Sequence, residues 1–249
     1  MRCARLRPDP TVLAFDTSAA HCAVALRLGG EIVARRFEPM ARGQAEQLMP
    51  MIGAVLSDHG AVFEELDAIG VGIGPGNFTG LRISVSAARG LALSLGIPAV
   101  GVSGFDLMLG ARAAEDPRLR LVSIPVPREE HAAYVRLYQG FDPQGEATKL
   151  QVLLADGETP TGAIGLEELP ETASVLGVQA PAIGWITGKN GAYRCYEDCD
   201  LPEDPAPDIA AIAEAKLRVS GSDIPRPAPL YIRSADAAPP RDRAPRILN

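Results

Sequence analysis

Residues 67–95, D-A-I-G-V-G-I-G-P-G-N-F-T-G-L-R-I-S-V-S-A-A-R-G-L-A-L-S-L, decide the fold. The run 67–73 is apolar and short, as a buried strand is; 74–80 is a tight glycine-rich loop; and the spacing of apolar residues predicts a helix over 81–95. Residues 98–102, P-A-V-G-V, read as another strand. A strand, a crossover helix and a second strand make the repeating unit of an α/β sheet.

Upstream, 11–17 (T-V-L-A-F-D-T) and 22–28 (C-A-V-A-L-R-L) are β-rich, and Gly29-Gly30 is a two-residue hairpin turn into a third strand over 31–37. From 41 to 59, Ala45, Leu48, Met49, Ile52, Val55 and Leu56 recur at helical spacing, with Gly60 as the stop and Pro50 as an expected kink. An antiparallel meander, a helix and a strand–helix–strand unit therefore fill a first lobe over 10–110.

Downstream the pattern is weaker. Residues 121–127 and 131–138 read as a strand pair, while 140–150 and 156–171 are turn-rich. A helix is predicted over 207–219, with Ile209, Ile212, Ala213 and Leu217 inward. Pro225, Pro227, Pro229, Pro239, Pro240 and Pro245 then dictate an extended chain. The division is a reduced C-terminal lobe over 111–235 and an extended proline-rich tail over 236–249.

Composition narrows the function. The chain of 249 residues is 47% hydrophobic and 22% charged, enough apolar surface for a real core. Its formal charge is −7 and only 5% of residues are aromatic, so it lacks the basic, ring-bearing surface with which proteins grip nucleic acid alone. There is no run of about 18 apolar residues and no apolar N-terminal segment, so a cytoplasmic protein without a membrane span is expected. Cys3, Cys22, Cys195 and Cys199 include a single C-x3-C pair. His21, His59 and His131 lie far apart, so no zinc set forms.

Two places invite chemistry. Gly74, Gly76, Thr79 and Gly80 sit between a strand and a helix N-terminus, where backbone N–H groups attract anions. Yet no lysine occurs between 31 and 148, and neither the Walker nor the dinucleotide spacing is met. The alternative is that the glycines supply unusual backbone angles while Asn77 or Thr79 caps the helix. Asp16-Thr17-Ser18 ends the first strand where a carboxylate and hydroxyls reach a metal-bound phosphate, or where an Asx or Ser/Thr turn closes a hairpin. No nucleophile elbow, H-E-x-x-H or other complete catalytic set is present.

On the 81–95 helix, Leu81, Val85, Ala88, Ala92 and Leu95 share one face. Ile83, Ser86, Ala87, Gly90 and Ser94 lie opposite, and only Arg82 and Arg89 are charged. One face covers the sheet. The other wants the 41–58 helix, a second subunit, or both.

Residues V-L-A-F-D-T-S (12–18), M-A-R-G-Q-A-E-Q-L-M-P (40–50), G-I-G-P-G-N-F-T-G-L-R-I (72–83) and A-A-R-G-L-A-L-S-L-G-I-P-A-V-G-V-S (87–103) resemble the TsaB (YeaZ) family, densely over 11–110. Echoes follow at 128–138 and 229–233. The resemblance implies an α/β, actin/Hsp70-like ATPase (ribonuclease H-like) fold with a complete N-terminal lobe and a shortened C-terminal one. It implies a non-catalytic scaffold that pairs with the catalytic paralogue TsaD, joined by the ATPase TsaE, to place threonylcarbamoyl on adenosine 37 of tRNA. No catalytic or metal residue and no cofactor is then expected on this chain alone, with ATP/ADP and metal on the partners, tRNA bound only through the complex, and a homodimer possible in isolation. Asp16, Thr17, Ser18, Gly74, Gly76, Thr79 and Gly80 become a degenerate phosphate loop. Gln44, Leu48, Ile52, Arg82, Ile83, Ala87 and Gly90 become the partner interface. Two departures stand out: Gln44-Ala45-Glu46 where relatives commonly carry His first, and Val126-Pro127-Arg128 where they often read Asp-Ala-Arg. The rival reading is an active ATPase or metal-dependent protease of the same fold.

From the charge and the scarcity of rings, the isolated chain is expected to bind tRNA weakly at physiological salt. Fluorescence anisotropy giving a submicromolar, steeply salt-dependent affinity would show a basic surface that composition conceals.

Overall fold

The computed structural model describes residues 10–116, 118–127, 129–155, 159–164, 173–187, 196–221 and 224–232. Cys3, Cys195, Arg128 and the tail over 236–249 lie outside them.

The first lobe is a five-stranded sheet built from β1 (Val12–Asp16), β2 (His21–Leu28), β3 (Glu31–Pro39), β4 (Ala68–Gly74) and β5 (Ala99–Ser103), in the order β3-β2-β1-β4-β5. The expected hairpins make β1, β2 and β3 antiparallel, and the expected crossover makes β4 and β5 parallel to β1. All of Val12, Leu13, Ala14 and Phe15 are fully buried, because β1 is central and covered on both faces. Side chains alternate across a strand. Leu13 and Phe15 join Val24, Leu26, Ile69 and Val71 under α1 (Gln44–His59) and α2 (Phe78–Leu95), whereas Val12 and Ala14 join Val100 and Val102 under α5 (Ala206–Ser220). Helix α1 continues as one element through Pro50, which is exposed.

Helix α5 comes from the stretch assigned by sequence to the second lobe, and it packs on the sheet of the first. Ile209, Ile212, Ala213 and Leu217 face inward as predicted. A methyl added at Gly70 on β4 would lie 3.0 Å from Ala213 Cβ and 3.1 Å from Ile209 Cγ2, so the helix rests almost on the strand backbone. Glu214, 6% exposed, accepts from Arg27 Nε on β2 at 2.8 Å and from Arg218 Nη2 at 2.7 Å. This pins the helix to the sheet across 187 residues of sequence.

The second lobe begins with α3 (Gly104–Leu109) and holds a six-stranded sheet: β6 (Leu119–Val126), β7 (Glu129–Gln139), β8 (Asp142–Ala155), β9 (Thr159–Ile164), β10 (Ser174–Gly177) and β11 (Tyr196–Glu197), in the order β11-β10-β6-β7-β8-β9, with α4 (Ala180–Thr187) beside it. The predicted pair is β6 and β7. The turn-rich expectation is corrected over 142–150 and 159–164, where β8 and β9 extend the sheet; 156–158 and 165–171 lie outside the described residues. Pro143 and Gly145 mislead locally, because Gly145 (φ 90°) sits where the β7–β8 register shifts, at a bulge that long-range pairing absorbs.

Residues 224–232 run without regular structure, as their prolines require, and form a strap between the lobes. Leu230 N donates to Ile73 O at 2.8 Å while Leu230 and Ile232 pack on the second lobe's core of Phe105, Val122 and Ile124.

Burial pushes the Glu214 carboxyl up, but the hydrogen bonds and charges of Arg27 and Arg218 outweigh it and hold it below its ordinary 4.5. A depressed carboxylate adds stability in full above its unfolded value and loses it as pH falls through the folded one. Glu214→Gln is therefore expected to lower the thermal midpoint at neutral pH by roughly 5 °C, the scale of about 2 kcal/mol in a chain this long. Its deficit should shrink in melts below about pH 4.

Candidate functional site

The chemistry-bearing segments meet at the C-terminal end of β1 and β4. Asp16 closes β1 and is 3% exposed. Its Oδ2 accepts from Ser18 N at 3.2 Å and Ser18 Oγ at 2.7 Å, the Asx arrangement that ends the strand, and lies 2.8 Å from His21 Nε2 at the start of β2. Its Oδ1 is buried with no hydrogen-bond partner among the described residues. It sits over Gly72, where an added Cβ would lie 2.0 Å from it. The imidazole also tilts over Phe37, with ring centroids 5.5 Å apart.

Thr17 and Ser18 turn into the loop after β4. Thr17 is fully buried and its Oγ1 donates to Gly80 O at 2.7 Å. Ser18 O accepts from Asn77 N at 2.6 Å. Asn77 is the N-cap of α2: its side chain accepts from Thr79 N at 2.9 Å and Gly80 N at 3.1 Å, while its own carbonyl takes Leu81 N. The backbone donors at 77, 79, 80 and 81, which a phosphate would need at this helix end, are thus engaged by the chain itself. Gly80 is required by contact, since a Cβ there would lie 1.9 Å from Thr17 O. Gly76 lies under Ser18 O, and Gly74 adopts φ 90° before the cis bond to Pro75. The seven phosphate-loop residues therefore come together, but with the hairpin backbone where an anion would rest.

Nearby ionisable groups are tuned by burial. Cys22 is pushed up to about 11 by burial, then by the charges of Glu38 and Asp16, which keeps its thiol protonated and unreactive. Asp204 is raised by burial, partly opposed by the Ala206 amide, Arg35 and His21; Asp208 is raised by burial and by Asp204. Among the described residues no three His, Cys, Asp or Glu side chains converge as a metal site.

The interface residues split. Leu48 and Ile52 are 1% and 0% exposed in the core, and Ile83 and Ala87 are half-buried against that same cluster, so much of the second face of α2 is closed by this chain. Gln44 is half-buried and donates back to Met40 O at 3.1 Å. Arg82 and Gly90 are exposed, and a Cβ on Gly90 would touch nothing within 4 Å. At 100° per residue, Phe78, Arg82, Ser86, Arg89 and Leu93 form the stripe left outside. Phe78 is 48% exposed and Leu93 82%. The Arg82 guanidinium lies 3.8 Å from the Phe78 ring centroid and its Nε is 3.4 Å from the Tyr231 hydroxyl on the strap. Helix α2 carries no acidic residue. Sequence reasoning missed Tyr231, His21 and Glu214; only the proline-set extended path of the strap hinted at the first.

A family model described as tRNA N6-adenosine threonylcarbamoyltransferase, TsaD, matches residues 37–124. The chain is 31% identical over 232 residues to the uncharacterized protein Rv3421c of Mycobacterium tuberculosis, spanning 92% of this chain and 94% of that one. It is 39% identical over 103 residues to the tRNA threonylcarbamoyladenosine biosynthesis protein TsaB of Escherichia coli, across 41% of this chain and 43% of the relative. Among solved structures, YeaZ from Pseudomonas aeruginosa superposes with a TM-score of 0.58 at 24% identity, covering 89% and 99% of the two chains. An uncharacterized protein with similarity to peptidase YeaZ from P. aeruginosa superposes at 0.59 with 25% identity, covering 90% and 100%. These superpositions cover about nine-tenths of the chain, and the expected α/β class holds, in the fold that YeaZ shares.

Gly80→Ala is expected to destabilise the protein by about 2 kcal/mol or more, because the clash is with backbone that cannot rotate away. Gly53→Ala, on open space in α1, should be neutral or gain up to about 1 kcal/mol of helix propensity. Denaturant melts of the two variants check the contrast, and a Gly80→Ala protein as stable as the parent would show that the hairpin is not docked on the helix.

Proposed function

Since this chain belongs to the TsaB/YeaZ family, we propose that it serves tRNA threonylcarbamoyladenosine synthesis as a non-catalytic subunit, docking and activating the catalytic paralogue TsaD, with the ATPase TsaE completing the assembly. The observation that carries the reading is the closed junction between 16–18 and the N-terminus of α2. With Asn77 N given to the Ser18 carbonyl and Thr79 N and Gly80 N given to the Asn77 side chain, the helix end offers no free cradle for a transferring phosphate. What the lobe offers instead is a surface: the exposed stripe of α2 from Phe78 to Leu93, apolar and cationic on a chain of net charge −7. Apolar exposure of this kind marks contact surfaces. TsaD is the partner that the family implies, and a carboxylate-bearing, partly apolar helix face on it is the complement this stripe fits. Adenosine 37 of tRNA is modified on TsaD, with ATP and metal held by the partners and tRNA reaching this chain only through the complex.

Because Gly90 faces open space, Gly90→Leu should fold at least as stably as the parent, and Leu93→Asp should fold normally. Both are expected to weaken TsaD binding, Leu93→Asp by about tenfold or more, the range for losing a buried apolar anchor. Titration calorimetry with TsaD and a reconstituted modification assay provide the measurement; unchanged affinity in both folded variants would place the interface elsewhere. The isolated chain should also hydrolyse no ATP. Turnover above about 0.01 per second that disappears in Asp16→Ala would favour the rival ATPase reading, since working enzymes run at roughly 1–1000 per second.

A further inference from the structure

We propose that the cavity between the lobes binds a small uncharged or zwitterionic molecule with a flat apolar ring and an N–H donor edge, and that Asp106 receives the donor. The cavity, about 910 Å3, lies under the strap, away from the junction of Asp16 with α2, and is lined by β5, α3, the β7–β8 turn and the end of α5. Its size is that of small-molecule sites, which are mostly apolar with a few placed polar groups.

Asp106 is 4% exposed, and the printed bonds to it converge on one oxygen: Oδ2 accepts from Ser103 N and Ser103 Oγ, each at 2.7 Å, and pairs with Lys216 Nζ at 2.8 Å. No described residue donates to Oδ1, and that oxygen is not sealed from solvent, unlike Asp16 Oδ1. A carboxylate this buried with an open lone-pair face calls for a donor. The apolar walls are Ile73, Val100, Phe141, Pro227 and Leu230. Lys216 also donates to Gly101 O at 3.2 Å and stands 5.4 Å from the Phe141 ring centroid, so its charge is already answered.

The lining carries both signs: Arg136 and Arg226 are there beside Glu115 and Asp142, while Asp116 is held by Arg118 and Arg120. An anion or a cation of any size would meet like charge on one side, whereas a neutral ring or a zwitterion meets both without leaving a desolvated charge unpaired. The strap closes the slot, with Pro227 packed at Gly101 and Leu230 N tied to Ile73 O.

Nitrogen heteroaromatic bases and aromatic amino acids share this chemistry, so adenine and tryptophan are the probes, titrated against the full chain by saturation-transfer NMR and calorimetry. At least one is expected to saturate with a Kd of about 1 mM or tighter. Binding of adenine alone assigns the base class, of tryptophan alone the amino acid, and of both a site that reads only ring and donor. Ala228→Trp, on the exposed strap where it lines the cavity, should fill the slot and abolish binding, and Asp106→Asn should weaken it about tenfold. Neither probe saturating by about 10 mM, unchanged binding in Ala228→Trp, or unchanged affinity in a folded Asp106→Asn overturns the proposal. Should Asp106→Asn not fold, Ala228→Trp decides alone.

Discussion

The backbone of 16–18 lies directly on the N-terminus of α2, with Thr17 Oγ1 donating to Gly80 O and Asn77 N donating to Ser18 O. Two segments sixty residues apart can approach this closely only because residues 72, 76 and 80 lack side chains. Once the contact forms, the direction of β1, the exit of β4 and the axis of α2 are no longer independent. Helix α2 must then cross the sheet with Leu81, Val85 and Ala88 inward and Phe78, Arg82, Arg89 and Leu93 outward.

The same contact leaves the helix end closed to an anion. In a phosphate-binding hairpin the carbonyls stand back and the helix donors face the ligand. Here an asparagine cap and a serine carbonyl take those donors, and Asp16 turns its Oδ2 to its own Ser18 and His21. The outer face of α2 carries arginines and no carboxylate.

Closure of the chain depends on elements far apart in sequence. Helix α5 covers the face of the first sheet that α1 and α2 leave bare, and the Arg27–Glu214 pair fixes its register. The strap then ties the end of β4 to the second lobe's core and delivers Tyr231 to the side of Phe78. Among the described residues the second lobe carries a six-stranded sheet.

The local pattern of residues determined the first lobe almost completely. The β-rich run of β1, the Gly29-Gly30 turn, the helical spacing of α1 and the glycine loop before α2 are short-range signals, each set by the backbone preferences of a few adjacent residues. The proximity of D-T-S to G-P-G-N-F-T-G was legible only through resemblance to a family. Tertiary structure decided everything that rests on long-range pairing. Residues 140–150 read as turn-rich from their Pro and Gly, yet 142–150 belong to a strand because β7 supplies the partner ladder. The second face of the 81–95 helix, with Ile83 and Ala87, reads from periodicity as covered by the 41–58 helix, a second subunit or both; the chain's own core half-buries those two and buries Leu48 and Ile52, because periodicity says that a face is covered and not by what. The interlobe cavity and the open oxygen of Asp106 carry no sequence signal at all, since they arise where β5, α3, α5 and the strap converge from distant parts of the chain.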